Sequence, residues 1–134
     1  MSKTKATKLN EYLESCWHKP FKFGEFDCCL FVADWIRAYH GFDPAPERGA
    51  YTTFKQGLNI IKSGFKHTFE TRLNVAPIAI DYAARGDVAL CEYDGELVGG
   101  IVGLGCVYCV SDEGVTTLPL DALRYVYPLE LIHE

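Results

Sequence analysis

The stretch that decides the fold is DCCLFVADWIRAYHG, residues 27–41. Asp27 has a side chain suited to cap the start of a helix, and Gly41 suits the left-handed residue that follows its end. The apolar residues in between nearly encircle the helix axis, which is typical of a helix covered on most sides. They are Leu30, Phe31, Val32, Trp35, Ile36 and Tyr39. We therefore expect a central, buried helix that begins at Cys28.

Two further helices are predicted around this one. Apolar residues at helical spacing favour a helix over residues 7–17. A third helix is expected to start at Thr52 or Thr53, either of which can cap it, and to stop at Gly64. Residues 65–84 show no clear period, so we expect irregular structure there, with one helical turn near its end.

After Gly86 the apolar period changes from that of helices to that of strands. Asp94-Gly95 indicates a tight hairpin turn, because both residues tolerate positive φ. Gly99, Gly100, Gly103 and Gly105 are expected either to let another backbone approach the sheet or to bulge it. Helices followed by a meandering antiparallel sheet make an α+β fold. The five predicted strands are Asp87–Tyr93, Glu96–Leu104, Cys106–Ser111, Gly114–Leu118 and Arg124–Leu129.

Length and composition predict one soluble domain over residues 1–134, with residues 1–6 as a frayed terminus. Apolar residues make up 49% of the chain, which is enough for a core without disulfides. The net charge of −5 disfavours nucleic acid as a partner. We find no apolar run of the roughly 20 residues that a membrane span needs. The chain also starts without the apolar stretch of a secretory signal, so we expect it to begin in a cytoplasm.

Cysteine chemistry is the main functional signal. Cys28 would stand in the first turn of the central helix, where the helix dipole and unpaired N–H groups favour a thiolate. Such a thiolate can attack a carbonyl carbon, above all when an imidazole stands within hydrogen-bond reach. The plainer interpretation is that Cys28 and Cys29 are small core residues that follow an N-cap. We expect most of the six cysteines to be buried thiols, and we expect no cofactor.

The sequence FKFGEFDC, residues 21–28, together with Arg85-Gly86-Asp87-Val88, resembles the NlpC/p60 superfamily of papain-like cysteine peptidases, and most closely a phage-encoded branch of it. The order and spacing of the matches carry the resemblance, which spans residues 20–130. It implies a papain-like NlpC-type fold, with N-terminal helices packed on a C-terminal antiparallel meander. The other matching stretches are residues 31–35, 41–45, 48–49 and 118–119.

The resemblance makes Cys28 the position of the nucleophile and puts Cys29 where the family has serine. Matching Gly100-Ile101 to the family's H-V-G-I pattern places Val98 at the position of the catalytic histidine. The third polar residue would fall near Val110 or Ser111. Valine cannot accept a proton, so the resemblance implies a peptidase-like chain without its usual base.

The four histidines of the chain offer few substitutes for that base. His40 lies twelve residues after Cys28 on the same predicted helix, or roughly 18 Å away at 1.5 Å per residue. His133, near the C-terminus, is expected to be exposed. His18 and His67 lie in predicted loops and stay open as bases, although a surface imidazole is the plainer interpretation of each.

Three functions follow from these observations. The first is a non-catalytic component of a phage tail tip, which would contact other tail proteins, be assembled in the host cytoplasm and remain in the virion tail. The second is an active peptidoglycan-cleaving cysteine endopeptidase that uses Cys28. The third is a tail protein that binds a metal or an Fe–S cluster through Cys106 and Cys109. Against the third, side chains three apart in a strand face opposite ways.

Overall fold

The helices precede the sheet in the chain, as the change of period near Gly86 predicts. The structure is a computed structural model and describes residues 3–45, 48–53, 55–56 and 64–134. Its helices are α1 (Lys5–Cys16), α2 (Cys28–His40) and α3 (Phe65–Leu73). Its strands are β1 (Val88–Tyr93), β2 (Glu96–Val102), β3 (Val107–Ser111), β4 (Gly114–Leu118) and β5 (Leu123–Tyr127). Short 3-10 turns span Ile80–Tyr82, Leu120–Ala122 and Leu129–Leu131. The predicted α+β class is confirmed.

The central helix forms as its sequence predicts. The Asp27 carboxylate accepts hydrogen bonds from the backbone N–H groups of Cys29 and Leu30, so it caps the first turn. Gly41 adopts φ +87° and its N–H donates to the carbonyl of Arg37, which ends the helix. The buried residues of α2 lie on most sides of its axis. They are Leu30, Phe31, Val32, Ala33, Trp35 and Ile36.

Two expectations about the helices were wrong. Lys5 and Ala6 were expected to belong to a frayed terminus, but α1 begins at Lys5, and the Thr4 side chain caps it by accepting from the Thr7 N–H. Residues 65–84 were expected to be irregular, but α3 occupies their first part. Only Phe69 and Leu73 of α3 are buried, and its start has no side-chain cap, so its pattern is weak.

The third predicted helix falls mostly outside the described residues. Within them, Thr53 Oγ1 accepts a hydrogen bond from the N–H of Gln56, the contact expected of a capping threonine.

All five strands run antiparallel, in the order β4-β3-β2-β1-β5. The predicted hairpin is confirmed, because Asp94 and Gly95 both have positive φ, +52° and +81°. The β3–β4 hairpin closes with a two-residue loop between Ser111 and Gly114. The pairing of β1 with β5 shifts between Leu90 and Cys91, which marks a bulge in β5.

The sheet must curl, because only residues 119–122 join its two edge strands, β4 and β5. Four strand spacings would set flat edges roughly 19 Å apart, and the start of β5 lies further along the sheet as well. The five residue steps from Leu118 to Leu123 reach about 18 Å at most. The curl and the link enclose a second apolar cluster on the outer face, which includes Cys91, Cys109 and Val126.

The main core lies between the helices and the inner face of the sheet. Alternate residues of β2 divide between the two faces. Leu97 and Ile101 pack toward the helices, whereas Val98 and Val102 pack into the outer cluster. Trp35 ties α2 to the entry of β1, since its indole N–H donates to the Gly86 carbonyl at 2.8 Å. Of the helices that the structure describes, none is long and apolar enough to cross a membrane.

Candidate functional site

The site forms around the first turn of α2, where a buried carboxylate gathers three chain segments. Asp27 is only 4% exposed. Its Oδ1 accepts from the N–H groups of Cys29 at 3.1 Å and Leu30 at 2.9 Å. Its Oδ2 accepts from the N–H of Gly24 at 3.1 Å and from the hydroxyl of Tyr51. With four donors on one carboxylate, the turn that carries Cys28 is held rigidly.

Strand β2 passes directly beneath this turn, with Gly99 as the residue in contact. A Cβ atom at position 99 would stand 2.6 Å from the Cys28 carbonyl oxygen and 3.2 Å from Cζ of Phe69. The expectation that Gly99 lets another backbone approach the sheet is therefore confirmed. The approach leaves no space for a side chain on β2 opposite Cys28.

The half-buried thiol of Cys28 has a pKa below that of an ordinary cysteine. The side chain of Cys29 hydrogen-bonds it, and this contact does most to lower the pKa of Cys28. Burial acts the other way, as does the charge of Asp27. The backbone N–H groups of Gly99 and of Cys28 itself add to the lowering. The arrangement supplies a nucleophile and hydrogen-bond donors around it, which is half of what acyl transfer requires.

The positions that the family resemblance assigns to the catalytic histidine and to the third polar residue hold no base. Val98 packs into the outer cluster, on the face of the sheet opposite Cys28. Its neighbour Gly99 faces the helix instead and has no side chain. Val110 belongs to the apolar core, and the Ser111 hydroxyl donates to the carbonyl of Gly114 in the β3–β4 hairpin. Neither Val98 nor Gly99 can therefore accept a proton from the sulfur.

The four histidines all lie in the described part of the chain, and their hydrogen bonds and ring contacts are elsewhere. Nε2 of His40 lies 2.6 Å from the carbonyl of Leu129, at the far end of α2. His67 is exposed on α3 beside Thr71, and His133 contacts the carbonyl of Leu131. His18 is exposed where α1 meets the β3–β4 hairpin. The structure brings none of them together with Cys28.

Cys106 lies in the bend just before β3, not in the strand as expected, whereas Cys109 lies within the strand. Cys106 interacts with the side chain of Tyr108, whereas Cys109 is fully buried in the outer cluster. Burial raises the pKa of Cys109 to about 11, so it is a poor thiolate. In the described ranges no group of three or more Cys, His, Asp or Glu could hold a metal ion.

Arg85-Gly86-Asp87 forms a turn just before β1. The Asp87 carboxylate is buried and accepts from the N–H groups of Ala84 at 2.9 Å and Leu129 at 3.0 Å. Asp87 therefore holds the turn that leads into β1.

The sequence analysis did not identify Tyr51 or Arg48, whose side chains hold the loop after α2 against the site. Tyr51 donates to Asp27, as described above. Arg48 forms ion pairs with Asp34 at 2.9 Å and with Asp43 at 3.1 Å. The hint in the sequence was that two charged residues, Asp34 and Arg37, interrupt a mostly apolar helix. In the structure, the arginine that contacts Asp34 most closely is Arg48, which comes from the loop after α2.

Comparison with known proteins gives the family but no activity. No curated protein sequence matches this chain. A family model described as a domain of unknown function, DUF6950, matches residues 2–129. Because this match covers nearly the whole sequence, the chain belongs to the DUF6950 family.

Proposed function

We propose that this chain is a phage tail component with a degenerate cysteine-peptidase fold, which acts through protein contacts in tail assembly or cell entry and not by hydrolysis. The observation that carries the proposal is the close approach of Gly99 to the backbone of Cys28. A peptidase of this kind needs an imidazole beside its nucleophile. Here the Gly99 N–H hydrogen-bonds the Cys28 thiol instead, and none of the four histidines contacts it.

The tail assignment is supported by the resemblance of residues 20–130 to the phage-encoded branch of NlpC/p60-like proteins, which is an analogy of family and not a property of the site. The acidic net charge of −5 agrees with a protein partner better than with nucleic acid. Exposed apolar side chains, among them Tyr82 and Leu104, agree with contacts to other proteins.

A specific observation also favours a second candidate, an active peptidoglycan-cleaving endopeptidase. The pKa of Cys28 is lowered by the hydrogen bond from Cys29, and a low pKa is what an active-site thiol requires. A thiolate without a general acid cannot protonate a leaving amine, however, so we rank this candidate second.

Digestion of purified peptidoglycan separates the two candidates. The chain and its Cys28→Ala variant are incubated with the substrate, and released muropeptides are measured by mass spectrometry. We expect no release above the buffer level from either protein. Release by the wild type that the variant lacks would overturn the non-catalytic proposal.

The tail assignment is tested in a phage that encodes this chain. Deletion of the gene should give particles with missing or non-infectious tails, whereas Cys28→Ala particles should infect normally. Normal infectivity after deletion would contradict a role in the tail. Loss of infectivity in both strains, with intact tails in the second, would point to the peptidase.

A further inference from the structure

The two edges of the sheet differ in how the chain covers them. At the β5 edge, residue Ile78 forms an isolated bridge with Val126, and its N–H donates to the Val126 carbonyl at 2.9 Å. At the β4 edge, the Trp17 carbonyl accepts from the N–H of Val115 at 2.9 Å. The backbone carbonyl of Trp17, just past the end of α1, therefore covers the start of β4.

The rest of the β4 edge is open. Ser111 and Gly114 close a two-residue hairpin, so the residues that bond β3 alternate along β4, and Val115 and Thr117 direct their backbone groups outward. In the described part of the chain, the N–H of Thr117 and the carbonyls of Val115 and Thr117 have no partner. Thr117 is also exposed. Three adjacent hydrogen-bonding groups thus point away from β3 in strand geometry.

The sequence of β4 contains none of the residues that usually keep an edge strand from pairing with another chain. Its sequence, GVTTL, contains no charge and no proline, and its five pairs with β3 run without a bulge. Natural sheets normally protect an edge with one of those devices, because an open edge accepts another strand. Two apolar side chains near the ends of the edge, Trp17 and Leu120, are 36% and 43% exposed and offer contacts for the side chains of such a strand.

We infer that the β4 edge binds an extended, basic segment of a protein partner by strand addition. The inference rests on the proposed function, in which the chain acts through protein contacts, and it names the surface for them. The exposed acids Asp112 and Glu113 lie at one end of β4, and exposed Asp121 lies just past the other. Lysine or arginine at both ends of an incoming strand would complement these charges.

A second copy of the chain fits the edge poorly. If two β4 edges paired antiparallel about Thr117, Val115 of one copy would face Pro119 of the other, and proline has no N–H to donate. The acids of the β3–β4 turn would then face Asp121 of the other copy. Like charges in register disfavour that pairing.

The test uses the full chain and the synthetic peptide KKVTVTVKK, followed by hydrogen exchange at the Thr117 amide in NMR spectra. In the free protein this amide should exchange rapidly, and saturating peptide should slow it about tenfold or more. The same peptide with N-methyl groups on its three central residues cannot pair and should give no protection.

Variants separate backbone pairing from other modes of binding. Thr117→Pro removes the outward N–H and should weaken peptide binding about fivefold or more, whereas Thr117→Val keeps it and should bind as the wild type. If Thr117→Pro fails to fold, Glu113→Lys provides the second readout and should weaken binding about threefold.

Exchange at Thr117 that millimolar peptide leaves unchanged would overturn the inference. Protection that rises with protein concentration in the absence of peptide would overturn it in favour of self-pairing. Failure of the proposed function is distinguishable, because muropeptide release would depend on Cys28 and Cys28→Ala should leave peptide binding unchanged.

Discussion

The backbone of Gly99 lies so close to the carbonyl oxygen of Cys28 that a Cβ atom at position 99 would stand 2.6 Å from it. The oxygen belongs to the first turn of α2 and cannot rotate away as a side chain could. The absence of a side chain on Gly99 is therefore a condition for the packing of β2 against the helix that carries the candidate nucleophile.

The first prediction concerns Gly99→Ala, which should lower the free energy of unfolding by about 1–3 kcal/mol, because the added methyl group overpacks a backbone contact. Urea denaturation followed by circular dichroism measures the change.

Gly41 is the matched control for that substitution. It has positive φ, +87°, and open space around its Cβ position, so its requirement for glycine is conformational and not steric. Asparagine tolerates that conformation, so Gly41→Asn should be mild and Gly99→Asn severe. Equal effects of the two would contradict the steric explanation.

The second prediction is that iodoacetamide labels Cys28 at a lower pH than a free cysteine requires, because its pKa is lowered and the thiolate is the reacting form. Cys29→Ala removes the hydrogen bond that contributes most, so it should move the labelling midpoint to higher pH. Cys91, whose pKa burial raises to about 12, should stay unlabelled in the same range. Mass spectrometry of each labelled cysteine gives the profile.

Histidine variants provide the control for this profile. His18→Ala and His67→Ala should leave the labelling midpoint of Cys28 unchanged, since neither imidazole contacts it. A midpoint that rises in either variant would show a hidden base and would revive the peptidase interpretation.

Local patterns predicted the elements that carry their own signals. α2 has a cap at each end, and the β1–β2 hairpin has the Asp94-Gly95 turn, so each could be found from a few adjacent residues. α3 could not, because its start at Gly64 has no capping side chain and its buried pair is only Phe69 and Leu73. Its helical state comes from packing that the sequence does not display.

The site was harder to predict than the fold, because it depends on register and on distant contacts. The family alignment chose Val98, but the pairing of β2 with β1 sends that side chain to the outer face and leaves Gly99 toward Cys28. A shift of one residue exchanges the two faces of a strand, and an alignment alone cannot settle it. The contact of Tyr51 with Asp27 spans 24 residues and has no local signature.

The third prediction concerns that contact. Tyr51→Phe removes the only side-chain donor to the buried carboxylate of Asp27 among the contacts described, so the free energy of unfolding should fall by about 1.5–3 kcal/mol. Tyr82→Phe is the control, because Tyr82 is 76% exposed, and it should change stability by less than about 0.5 kcal/mol. Thermal and urea unfolding measure both, and comparable losses would argue against a specific role for the Tyr51 hydroxyl.

The fourth prediction concerns Arg48, whose guanidinium pairs with both Asp34 and Asp43. Burial raises the pKa of Asp34, although the charges of Arg48 and Arg37 act against this increase. Partial burial also acts to raise the pKa of Asp43, but hydrogen bonds, of which the one from Arg48 is the strongest, outweigh it and lower that pKa. A raised folded-state pKa costs stability as pH rises through it, and a lowered one contributes stability that is lost as pH falls. Arg48→Met raises both pKa values, so it should cost about 1–2 kcal/mol at pH 7, and this cost should shrink as pH falls first through the raised pKa of Asp34 and then through that of Asp43. Arg37→Met is the control: its contacts are longer, 3.5 and 3.8 Å, and its side chain is 53% exposed, so it should cost less than about 1 kcal/mol.

Urea unfolding at pH 7 and pH 3.5 measures each difference in stability. A cost for Arg48→Met that does not change with pH would show that the arginine acts through packing and not through its charge.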